Sequence, residues 1–173
     1  NGSPAADSVP AQIAADATVS VMGPTGERIA NVENIPTGPS KTSLKKGELI
    51  SAVHIPARGK NAGDAYLRFI PRTEMDIAVV GCAVSLRLDN GIITEARVAL
   101  GAVAPTVLLV DECAEAIIGT KLDEAASKKL AQAAENACNP IDDKRGTIEF
   151  RTDIAGVLAV RTAKKAYDRA QGK

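Results

Sequence analysis

The stretch VVGCAVSLRLDNGIITEARVALG, Val79 to Gly101, limits the possible folds more than any other part of the chain. Val80, Cys82, Val84, Leu86 and Leu88 alternate with Gly81, Ala83, Ser85, Arg87 and Asp89, the period of a strand with one buried face. Asp89-Asn90-Gly91 supplies residues that tolerate the positive φ of a tight turn. The return strand alternates again: Ile92, Thr94, Ala96, Val98 and Leu100 fall on one side, with Ile93, Glu95, Arg97 and Ala99 on the other. The pattern predicts an antiparallel hairpin with one covered face. A lone hairpin is marginal in water, so something must cover it.

The cover is helical. Past Pro105 the period changes, and Val110, Ala114, Ile117 and Ile118 fall at helical spacing up to Gly119, a C-cap candidate. Leu122, Ala126, Leu130, Ala133, Ala134 and Ala137 form a second stripe, with Lys128 and Lys129 on its solvated side, and NPIDDKRGT ends it at Pro140. A third helix is predicted over about Ile148 to Ala170, with Phe150, Ile154, Val157 and Leu158 inward and a basic last turn. Alanine-rich faces allow these three helices to pack closely.

Ahead of the hairpin the signals are those of strands and turns. ATVSVMGPTGERIANV is a β-branched run, a Gly-Pro-Thr-Gly turn and a second short strand. A loop rich in Gly, Pro and Ser and a Lys-Lys-Gly turn then lead to ELISAVHIP, a strand ending at Ile55, and ARGKNAGDA, Ala57 to Ala65, reads as a polar loop. The chain is therefore α+β: a β-rich piece, a boundary within Ala57 to Met75, then a small antiparallel sheet packed on a three-helix bundle. The two pieces are 1–60 and 61–173.

Composition excludes several function classes. Among 173 residues, 21 basic and 21 acidic side chains cancel, so nothing draws the chain to nucleic acid or an anionic membrane. With 2% aromatic residues and no Trp, platforms for stacking bases are missing. The apolar runs Ile77–Leu86 and Val98–Val110 fall short of the roughly twenty residues of a spanning helix. Asn1 to Asp7 show no basic or apolar region of a secretory signal, which points to the cytoplasm. Cys82, Cys113 and Cys138 are too dispersed for a paired metal or redox motif and read as core thiols. The single histidine, His54, precedes Pro56 in a strand-like run and reads as an edge or solvent-facing side chain, so no triad or metal site is built on it. No P-loop, zincin or GxGxxG motif is present.

One juxtaposition is left unexplained by patterning. YLRFIPRTEMD, with Arg68, Arg72, Glu74 and Asp76, stands immediately before the buried strand. The phrases NGSPAADSVPAQIAADATVSV, TGPSKTSLKKGELISAVHIP, YLRFIPRTEMDIAVVGCAVSLRLDNG, EARVALGAVAPT and NPIDDKRGTIEFR occur in the order found in the FAD-binding medium subunits of molybdenum hydroxylases. That family includes the carbon monoxide, xanthine, nicotinate and aromatic-acyl-CoA oxidoreductases. The chain resembles it over nearly its whole length, beginning just after the second of the family's two glycine-rich loops. The first phosphate-cradling half of the flavin domain is not matched.

The resemblance implies a β-rich second FAD-binding subdomain followed by the sheet and three-helix domain read above. It implies FAD shared with an N-terminal half, and partner subunits that carry molybdopterin and two iron–sulfur (2Fe-2S) clusters. The role implied is electron transfer from those clusters through FAD to an external acceptor, with substrate chemistry elsewhere. Asp7 matches an acidic residue that hydrogen-bonds the FAD, and on its own reads equally as a helix cap. Ile50 matches an aliphatic position against the flavin ring, and on its own reads as strand core. Arg68 matches a basic position near the flavin, where a cation stabilises negative charge on the reduced ring; on its own it reads as a surface ion pair with Glu74. Asp76 matches an aspartate that anchors the local backbone or reaches the cofactor, with anchoring preferred. The rival reading is a docking module of the same fold that binds no flavin.

Overall fold

The computed structural model describes residues 2–72 and 75–173. Helix α1 (Ser8–Ala14) leads into a three-stranded antiparallel sheet in the order β2 (Gly26–Asn31), β1 (Thr18–Gly23), β5 (Leu49–His54). Between β2 and β5 come a 3-10 turn (Val32–Asn34) and a two-stranded ribbon of β3 (Pro36–Gly38) and β4 (Lys41–Thr42). The second sheet has four antiparallel strands in sequence order: β6 (Ala62–Phe69), β7 (Val80–Asp89), β8 (Ile92–Gly101) and β9 (Leu108–Leu109). Helices α2 (Asp111–Glu115), α3 (Glu124–Asn136) and α4 (Ile148–Ala170) complete the chain. No helix among the described residues is long and apolar enough to cross a membrane.

The predicted hairpin is β7–β8, and Asn90 and Gly91 take the positive φ that its turn requires. Both of its faces are covered, however, where one was expected. Cys82, Val84, Leu86, Val98 and Leu100 join the main core beneath α3 and α4. Ala83 and Ala99, on the other face, join a second core with Ile13, Val19, Val21 and Val107. The simple alternation expected for β8 also fails. The register shifts beside Arg87 and Leu88, so that Leu88 pairs with Ile93 and Arg87 with Glu95, which leaves Thr94 over. That extra residue turns Ile93 into the main core and leaves Ile92 exposed.

Part of the polar loop expected before Tyr66 is instead strand β6, which pairs with β7 from Ala62–Arg87 to Phe69–Val80. Its Gly63 lies against α4 so closely that a Cβ there would overlap the Ala166 carbonyl oxygen. Helix α4 spans the residues predicted for it, and Thr147 caps it by accepting from the Phe150 N–H. Its inward face differs from the expected one. Ala155, Leu158, Ala159, Thr162, Ala163 and Ala166 are buried, while Phe150 and Val157 are exposed. Asp123 caps α3 in the same way, accepting from Ala126. Helix α2 is a five-residue turn, which still buries Cys113 and Ala114.

Arg97 joins the layers. From β8 its guanidinium donates to the carbonyl of Ile13, near the end of α1, and to Glu33 in the 3-10 turn, and it pairs with Asp16. Arg97 therefore ties β8 of the second sheet to the end of α1 and to the 3-10 turn.

Candidate functional site

The loop before α1 brings Asp7 to the end of β6. Asp7 sits at the N-cap position of α1, but its side chain makes no capping hydrogen bond. Its Oδ2 accepts from Arg68 Nη1, across 61 residues of sequence. Arg68 thus pairs with Asp7; Glu74, the partner expected for it, lies outside the described residues. Tyr66, two residues earlier on β6, points to the same face and packs against the second core. Burial, reinforced by the Asp7 carboxylate, pushes the Tyr66 phenol up to about 12, so it holds its proton at neutral pH.

Ile50 is not strand core. It stands 41% exposed on β5, and with Val53 it lines a hollow of about 160 Å³ whose other wall includes Gly2, Ala6 and Val9. Ala6 lines this hollow and Asp7, the next residue, pairs with Arg68 outside its lining. An uncovered aliphatic wall suits one face of a flat ring, and a carboxylate oxygen suits hydroxyl donors. The donor set therefore fits a flavin's ring and polyol chain.

Asp76 belongs to a separate cluster. Its carboxylate pairs with Arg72 and Arg145 and accepts from its neighbour's backbone, the Ile77 N–H. Asp143 in turn pairs with Arg145 and with the buried Arg151. Burial raises the Asp76 carboxyl, but the Arg72 hydrogen bond, the Ile77 N–H and Arg145 outweigh it and hold the group below the usual carboxylate range. Burial of Asp143 is likewise outweighed by the backbone N–H of Arg145 and by Arg151. The cluster fastens the segment before β7 to the start of α4. Sequence reasoning missed Arg145 and Arg151, and one signal was available: two arginines in a short DDKRG…R run beside a helix start.

His54 behaves as an edge residue, exposed and hydrogen-bonded to Ser20 Oγ at 2.8 Å. Cys82 and Cys113 are buried free thiols and Cys138 is half-buried. Among the described residues no cluster of His, Cys, Asp or Glu is arranged to hold a metal. A surface groove of about 530 Å³ lies between β9 and α3, with Glu112 and Lys129 the charged residues of its lining.

Comparison with known proteins identifies the family. Residues 65–166 match the CO dehydrogenase flavoprotein C-terminal domain, and residues 1–58 match the FAD binding domain in molybdopterin dehydrogenase. The carbon monoxide dehydrogenase medium chain of Afipia carboxidovorans is 33% identical over 99% of this chain and 59% of its own length. The xanthine dehydrogenase FAD-binding subunit of Escherichia coli O157:H7 is 30% identical over all of this chain and 60% of its own. The chain thus spans about three fifths of the length of these relatives. A solved structure of reconstituted CO dehydrogenase from Oligotropha carboxidovorans superposes with a TM-score of 0.93 at 32% identity, over 98% of this chain and 59% of that one. With both segments matched and the fold shared, the chain belongs to the FAD-binding flavoprotein subunits of the CO dehydrogenase and xanthine dehydrogenase family of oxidoreductases.

Proposed function

We propose that this chain forms one wall of the FAD site in the flavoprotein subunit of a molybdenum hydroxylase. The observation that carries this reading is that one loop supplies both Ala6, in the wall of the apolar hollow of Ile50 and Val53, and Asp7, the partner of Arg68. Bound FAD would supply two-electron and one-electron chemistry, accepting electrons from 2Fe-2S clusters and passing them to an external acceptor. This chain's residues bind and orient. The Asp7 carboxylate accepts from ribityl or ribose hydroxyls, Ile50 lies against the ring, and the Arg68 cation favours negative charge nearby. Asp76 acts one step removed, keeping the segment after β6 in place through Arg145.

In this reading the chain divides at 1–60, part of the FAD-binding subdomain, and 61–173, a C-terminal domain that adds Arg68 to the wall and supports it. The phosphate cradle comes from an N-terminal FAD-binding half. Strand β5 offers that half a seat: it is a sheet edge, exposed along its six residues and without a charged side chain between Leu49 and Ile55. The remaining partners are an iron–sulfur subunit and a molybdopterin subunit in a cytoplasmic complex, with no nucleic acid and no membrane among them.

A flavin-free docking module is the second reading, and one observation favours it: Asp7 and Arg68 already neutralise each other. Charge reversal separates the two. Asp7→Lys and Arg68→Glu should each strip flavin from the isolated complex while leaving its subunits together. Full flavin occupancy in both variants would overturn the site assignment.

A further inference from the structure

The hydroxyl of Tyr66 is displaced from where its backbone lies. In the β6–β7 register Tyr66 faces Ala83, while Arg68 faces Gly81. Yet Tyr66 Oη sits over Gly81, 2.9 Å from where a Cβ on that residue would stand. The ring therefore leans one pair along the sheet, into the row that holds Arg68 and, through it, Asp7. Only a glycine leaves room for this.

Gly81 pairs in turn with Gly101 on β8. A Cβ at Gly101 would come within 2.9 Å of Pro10 Cγ and 3.6 Å of the Pro4 carbonyl oxygen, which itself accepts from the Ala102 N–H at 2.8 Å. The loop that carries Asp7 thus rests directly on a bare two-glycine floor. Tyr66 crosses one half of that floor, and Pro10 and Pro4 press on the other.

We infer that Tyr66 is a positioning residue of the flavin site: its phenol donates to the Asp7 carboxylate across the Gly81–Gly101 floor, so that Asp7 presents one fixed edge to a polyol hydroxyl. Two donors then hold one carboxylate, the phenol and the Arg68 guanidinium, leaving its remaining lone pairs for the ligand. The inference rests on the FAD reading above for its ligand. The inferred bond between Tyr66 and Asp7 does not itself depend on that reading.

The test uses two readouts. The chain has two tyrosines, so Tyr167→Phe isolates Tyr66 in the Raman spectrum, where the tyrosine Fermi doublet reports whether the phenol donates. Asp7→Ala, and separately Gly81→Ala, should shift the doublet from a strong donor to a weakly bonded phenol. An unchanged doublet after Asp7→Ala overturns the inference. In the protein as isolated with its accompanying polypeptides, Tyr66→Phe should weaken FAD binding about tenfold, the loss of one charge-assisted hydrogen bond. Wild-type affinity in that variant also overturns the positioning role. If the doublet depends on Asp7 while the wild-type protein binds no FAD, the contact stands and the flavin reading fails.

Discussion

Arg151 Nη1 donates to the carbonyl oxygen of Val79 at 2.7 Å, fixing the first turn of α4 to the residue just before β7. The same guanidinium reaches Ala102 at 3.3 Å, and its Nη2 pairs with Asp143 at 2.7 Å, while its Nε has no partner among the described residues. The side chain is 4% exposed. Replacing it by alanine removes a donor from two carbonyls and leaves the Asp143 carboxylate to Arg145. We expect Arg151→Ala to destabilise the fold by roughly 3 kcal/mol, measured by urea unfolding. Arg151→Met, which fills the same volume, should cost less.

Close approach makes a second position sensitive. At Gly63 a Cβ would overlap the Ala166 carbonyl oxygen and come within 2.5 Å of the Ala170 N. Backbone cannot move aside as a flexible side chain does. Gly63→Ala should therefore cost roughly 2 kcal/mol, seen as a lower denaturation midpoint at unchanged slope.

Acid should weaken the fold through three carboxylates. The Arg28 hydrogen bond and the Lys45 N–H hold Glu48 down to about 2, from an ordinary value of 4.5. Asp76 and Asp143 are also depressed. A depressed folded pKa contributes stability that is full above the unfolded value and is lost as pH falls through the folded one. Stability should thus be flat near neutrality and fall between about 4.5 and about 2, and Glu48→Gln should flatten that limb. A limb equally steep in Glu48→Gln would contradict the assignment.

The thiols should be inert in the folded protein. Burial pushes Cys82 and Cys113 up to about 12 and Cys138 up to about 11, so little thiolate exists at neutral pH. A disulfide reagent should modify the native protein slowly, beginning with the half-buried Cys138, and should titrate all three only after unfolding.

Much of the second domain was legible because its strands alternate large apolar and small or polar residues. The β7–β8 hairpin with its Asn90-Gly91 turn and the extent of α4 follow from period and capping alone. The inward face of α4 was misread for a physical reason. Backbone at Gly63 touches the helix, so its buried stripe must be built from Ala155, Ala159, Ala163 and Ala166, and size pointed instead to Phe150 and Val157. Strand β6 was obscured likewise, since its buried face at Gly63 and Ala65 carries almost no hydrophobic signal. The Thr94 bulge depends on pairing between strands, which no single-strand pattern contains.

The site was legible only in part. Asp7, Ile50 and Arg68 came from family resemblance, and nothing local predicts that a residue before α1 should pair with one on β6. Burial of Arg151 has no signature between Phe150 and Thr152, in a run that mixes apolar and charged residues. Its partners are backbone carbonyls, which any sequence supplies.

The central claim is that this chain supplies part of a FAD site. The most direct test is a visible absorption spectrum of the protein as isolated, with native mass spectrometry of the same sample. Flavin bands together with a polypeptide segment bearing glycine-rich loops are the predicted result. A colourless preparation that remains so after incubation with FAD and all co-purifying subunits would contradict the account.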